Sequence, residues 1–124
     1  MKPVDLAKSL AQALKESLEF RNYQEAKAKV DQHEAAKVML EDFRQKQMEF
    51  YEKRAKGENT AEEAERIRKL SEIVSLNPYV REYLMAEYLW EQLMMEVQKT
   101  IAEGIGLDLS KFGIEGEKKN GEDQ

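Results

Sequence analysis

Apolar residues recur at steps of three and four from Val4 to Ile101, and this spacing predicts helix over nearly the whole chain. A first helix is expected from about Val4 to Glu16, with Ala7, Leu10, Ala11, Leu14 and Leu18 on one face. Ser17 can cap a second helix that turns Phe20, Tyr23, Ala26 and Val30 inward. Asp31 followed by Glu34 reads as a capping box for a long third helix, from about Gln32 to Lys56. Along it Ala36, Leu40, Phe43, Gln47, Phe50 and Arg54 alternate steps of four and three, a heptad seam with polar residues at two positions. Gly57 supplies a stop, because glycine takes the left-handed conformation at little cost.

Thr60 with Glu63 reads as a second capping box, and a fourth helix follows with Ala64, Ile67, Leu70 and Val74 inward. The loop between helices three and four is only "GEN", so the two should form an antiparallel hairpin. Lys53, Arg54 and Lys56 would then face Glu62, Glu63 and Glu65 across the turn. Asn77-Pro78 starts a fifth helix: asparagine is a good N-cap, and proline fits the first helical position because it lacks an N–H there to satisfy. That helix should run to about Glu103, where Gly104 and Gly106 end it. The expected architecture is all-α, about five helices, with a long hairpin and a long C-terminal helix. Residues 1–103 would form a single domain, followed by a polar, disordered tail over 104–124.

The fifth helix carries more apolar surface than one face can hold. Tyr79, Tyr83, Ala86, Trp90, Leu93, Met94, Val97 and Ile101 make one stripe on a helical wheel, which should meet the third and fourth helices. Leu84, Tyr88 and Met95 fall on a second stripe, with Met85 and Leu89 further round. Helices apolar on more than one side, in a bundle this thin, pack against a second molecule as well. Tyr83, Leu84, Tyr88, Trp90 and Met95 are therefore the candidate interface, and a homo-oligomer, a dimer or higher, is expected.

Composition narrows the chemistry. The 124-residue chain has 36% charged residues and a net charge of −5, which suits a soluble protein and disfavours nucleic acid as a partner. No apolar run approaches the length of a transmembrane span and no signal-peptide pattern opens the chain, so a cytoplasmic protein without membrane attachment is expected. Cysteine is absent, which removes disulfides, thiol chemistry and cysteine-ligated metals. His33 is the single histidine and reads as a solvated residue at the start of the third helix. The Glu-x-x-His pattern of di-iron bundles does not occur, and "GIGLDLSKFG" has a Gly-x-Gly in the wrong context for a dinucleotide. No catalytic, metal or cofactor site is expected, and the chain reads as a non-enzyme.

The order "DLAKSLAQALKES", "LEFRNYQEAKAKVDQHEAAKVMLEDFRQKQ", "GEN" and "NPYVREYLMAEYLWEQLMMEVQKTI" resembles the YlbF/YheA family of small bacterial helical proteins. Its marks are the stretch Ser17–Phe20, Phe43-Arg44, Gly57, Asn77-Pro78 and Ala86-Glu87. The resemblance implies an all-helical fold that associates into dimers or larger assemblies. Within the family, YlbF and YmcA act with YaaT as regulators of competence, biofilm formation and sporulation. That complex assists ribonuclease Y in messenger-RNA maturation and carries iron–sulfur clusters. A chain without cysteine could supply no cysteine ligand to a cluster, and in this it looks closer to the YheA branch. The expected role is a regulatory or adaptor protein working through helical contacts with a protein partner. The competing expectation is an RNA-associated module using Lys53, Arg54, Lys56, Arg66, Arg68 and Lys69 of the hairpin.

Overall fold

A computed structural model describes residues 1–107 and contains five helices in this order: α1 (Pro3–Lys15), α2 (Leu18–Asp31), α3 (Glu34–Ala55), α4 (Ala61–Val74) and α5 (Pro78–Gly104). No strand occurs among the described residues, and the all-α expectation holds. The expected tail lies outside the described residues from 108 onward. The chain divides into two units, the first Met1–Tyr88 and the second beginning at Leu89, so the boundary falls within α5.

Local signals set most helix ends. The Ser17 hydroxyl accepts from the Phe20 N–H at 3.1 Å and donates to the Leu14 carbonyl at 2.7 Å, ending α1 and starting α2 with one side chain. Asn77 Oδ1 accepts from the N–H groups of Tyr79 and Val80 at 2.9 and 3.3 Å. Gly57 has φ +81°, and the Glu58 and Gly57 N–H groups return to the Lys53 and Arg54 carbonyls. This is a Schellman closure that needs a residue without a Cβ at the left-handed position.

The two expected capping boxes do not form. Helix α2 runs through Asp31, and the Gln32 N–H bonds to the Ala28 and Lys29 carbonyls, so Asp31 has helical backbone and cannot act as an N-cap. His33 takes the capping position of α3 with an extended backbone and no side-chain cap bond. At α4, Thr60 makes no side-chain cap; Asn59 Oδ1 instead accepts from the Ala61 N–H at 3.1 Å.

In the first unit the core is assembled from four helices. Ala26 and Val30 of α2, Ala36 and Phe43 of α3, Val74 of α4, and Val80, Tyr83 and Ala86 of α5 are buried together. Tyr23, Leu40, Ile67, Leu70, Tyr79 and Leu84 pack around them, half-buried. Helix α1 contributes no buried residue, although its apolar face is well formed. The expected α3 seam is real but frays: Ala36 and Phe43 are buried, Leu40, Gln47 and Phe50 are half-buried, and Arg54 is exposed with its guanidinium 5.9 Å from the Phe50 ring. Helices α3 and α4 pair as the hairpin, with Lys53 reaching Glu63 across the turn at 3.1 Å.

Candidate interaction surface

Helix α5 presents two chemically different sides. Its inner side, within the first unit, is held by a half-buried polar network. The Tyr83 ring lies 5.6 Å from the Tyr23 ring, and the two hydroxyls stand 3.4 Å apart. Tyr83 also donates to Glu87 Oε2 at 3.2 Å, one helical turn on. The other Glu87 oxygen is ion-paired with Arg44 of α3, whose guanidinium bonds Gln47 Oε1 at 3.0 Å and sits 6.0 Å from the Tyr83 ring centre. Burial opposes the charge on Arg44, but the hydrogen bond and negative charge of Glu87 outweigh it and hold the guanidinium above its ordinary value. Burial, the Tyr23 hydrogen bond and the Glu87 charge together push the Tyr83 phenol well up. The network joins α2, α3 and α5.

His33 is exposed, as the sequence suggests, yet it is not merely solvated. Its ring stacks on Tyr79 at 3.8 Å, and Nδ1 lies 2.7 Å from the Lys29 carbonyl, so it ties the α2–α3 corner to the start of α5.

Between Met85 and Leu89 the outer side of α5 is apolar. Helical spacing sets Met85, Tyr88 and Leu89 opposite Tyr79, Tyr83 and Ala86, and these three are 59%, 54% and 47% exposed. Of the residues singled out from sequence, Tyr83 is buried in the first unit's own core, and Leu84 is half-buried against that core. Tyr88 is fully on the outside, while Trp90 and Met95 are half-buried in the second unit. Met85 and Leu89, which are not among those five, stand beside Tyr88 on the outer side.

The basic residues of the hairpin are largely neutralised. Arg68 spans Glu65 and Glu72 at 2.6 and 2.8 Å, while Lys53 and Arg66 share Glu63 at 3.1 and 3.7 Å. The Arg68 hydrogen bond holds the Glu65 carboxyl below its ordinary range, and the Lys53 hydrogen bond does the same for Glu63. An RNA backbone would have to displace these carboxylates. Among the described residues no three histidine, aspartate or glutamate side chains cluster as a metal site requires, and no helix is long and apolar enough to cross a membrane.

Comparison with known proteins places the chain in a family. Residues 4–106 match the family model described as "Control of competence regulator ComK, YlbF/YmcA". A UPF0342 protein of Caldicellulosiruptor saccharolyticus is 39% identical over 111 residues, covering 89% of this chain and 92% of that protein. Its counterpart in Caldicellulosiruptor bescii is 42% identical over 102 residues, covering 82% and 86%. A UPF0342 protein of Staphylococcus epidermidis is 31% identical over 98 residues, covering 78% and 86%. No solved structure matches the chain. With nearly all of its helical region matched by the model and close to nine-tenths of its length aligned with a relative, the chain belongs to the YlbF/YmcA family.

Proposed function

We propose that the protein is a non-enzymatic regulator that acts through helical contacts with other protein chains, in the first place a second copy of itself. The observation that carries this reading is the outer side of α5, where Met85, Tyr88 and Leu89 stand exposed together on a helix whose opposite side already packs on the core. Helix α1 adds a second apolar face with nothing buried. Apolar surface contributes about 25 cal/mol per Å² when removed from water, so covering such faces favours association. The family description supports a place in the control of competence. The absence of cysteine supports a position nearer the YheA-type branch, without a cluster of its own. A cytoplasmic site of action follows from the same role.

The test is genetic. Replacing the native gene with one encoding Tyr88→Asp should reproduce the effect of a deletion on transcription of competence genes, at unchanged protein level. Wild-type transcription in that strain, with deletion showing a defect, would overturn the reading.

A further inference from the structure

Cysteine is absent from the chain, and all six methionines lie within the described residues. The thioether sulfurs are therefore the softest nucleophiles this protein offers to a two-electron oxidant. The methionines differ in how far an oxidant can reach them. Met94 and Met95 are half-buried, and Met39 is 36% exposed. Apart from Met1 at the chain start, Met48 and Met85 are the most accessible, at 64% and 59%.

Their neighbours decide what oxidation would change. One turn from Met48 on α3 stand Gln45, Tyr51 and Glu52, all exposed, so that surface is already mixed in polarity. One turn on from Met85 on α5 stand Tyr88 and Leu89, both exposed. One turn back, Glu82 is engaged with Lys29 at 3.3 Å and Arg81 with the Ser75 carbonyl at 3.1 Å. Met85 thus belongs to a short apolar patch, and it is the member of that patch whose polarity a mild oxidant can change.

We propose that Met85 is an oxidant-responsive site, and that its conversion to the sulfoxide by a peroxide switches off the contact made by the outer side of α5. The inference rests on the reading above, that Met85, Tyr88 and Leu89 meet another chain, and it adds the regulation of that contact. In the step itself the sulfur lone pair attacks one oxygen of hydrogen peroxide, forming the S–O bond as the O–O bond breaks. The other oxygen leaves as hydroxide and takes the proton released by the first, giving water. Sulfur is oxidised by two electrons and the peroxide is reduced by two. The product keeps the length of the side chain but places a strong acceptor oxygen on surface that the contact has to strip of water. Coupling runs both ways: an engaged chain shields the sulfur, whereas a free chain reacts and is then held free. Reduction of the sulfoxide restores the thioether, so the change is reversible.

The experiment treats the full chain with hydrogen peroxide and maps each methionine by peptide mass spectrometry. Association of the chain with itself is read by sedimentation, and helicity by circular dichroism. Oxidation at Met85 should weaken association about tenfold with helicity retained, and methionine sulfoxide reductase should restore it. Met85→Leu should associate as wild type does and keep its constant after treatment, although Met48 is still oxidised. Met48→Leu should respond as wild type does, and Met85→Gln should be weakened without any oxidant. Association unchanged with Met85 oxidised, an equal loss in Met85→Leu, or a Met85 that stays unoxidised would overturn the site while leaving the contact intact. An untreated wild-type chain that stays monomeric would overturn the contact and its regulation together.

Discussion

Breaking the Arg44–Glu87 pair tests what holds α5 against α3. The two side chains are 35% and 20% exposed, between the surface and the interior. Exposed pairs contribute about 0.2–1 kcal/mol, whereas removing one partner of a fully buried pair costs about 3–5 kcal/mol. Arg44→Met should therefore cost about 2 kcal/mol, since it leaves the Glu87 carboxylate half-buried with only Tyr83 as donor and also removes the cation from the Tyr83 ring. Glu87→Gln should cost about 1 kcal/mol, and the double variant should fall short of the sum by about 1 kcal/mol, the coupling of the pair. The assay is urea unfolding followed by circular dichroism, at one fixed protein concentration because self-association adds a concentration-dependent contribution. Arg68→Met, on the exposed Glu65–Arg68–Glu72 set, is the control and should leave the unfolding midpoint essentially unchanged. An Arg44–Glu87 coupling no larger than that of the exposed set would refute the view that this pair fastens α5.

Helix caps give a paired test: Asn77→Ala should cost about 1 kcal/mol, and Thr60→Ala a few tenths at most, because only Asn77 accepts helix N–H groups; equal costs would contradict the assignment. Gly57→Ala meets no neighbouring atom, so its cost in thermal or urea unfolding should be the backbone term alone, about 1 kcal/mol, and Gly57→Asn should cost less. Tyr83 adds a pH dependence. Its folded phenol is raised above the unfolded value near 10, so its contribution is complete below about pH 10 and is lost as pH climbs toward the folded value. Unfolding measured from pH 8 to 11.5 should show a steeper alkaline loss in wild type than in Tyr83→Phe, and parallel curves would refute the burial of that hydroxyl.

Much of this architecture is written locally. Ser17, Gly57 and Asn77 act through hydrogen bonds within a few residues, and the period of the apolar positions is a property of one helix, so both are visible in one dimension. The failed capping boxes show the limit of that view. Asp31 and Thr60 have the right residue three positions on, but a cap also needs a non-helical backbone, and at Asp31 the α2 hydrogen bonds continue while at Thr60 the neighbouring Asn59 reaches the helix first. The Arg44–Glu87 pair spans 43 positions and has no periodic signature. Both residues nevertheless stand in the short stretches Phe43-Arg44 and Ala86-Glu87 that mark the family resemblance, and the ion pair gives those stretches a common physical reason. Tyr83 belongs by spacing to the inner stripe, and its burial follows that stripe and not the outer surface. Met85 and Tyr88 are separated from it by the angle around the helix, which the wheel shows once the inner side is known.

Sedimentation velocity of the full chain, from a few micromolar to about 100 µM, tests the central claim most directly. The account predicts a species of twice the 14.4 kDa chain mass, shifted toward monomer by Tyr88→Asp with helicity retained. A single 14.4 kDa species across that range, or a dimer indifferent to Tyr88→Asp, would contradict it.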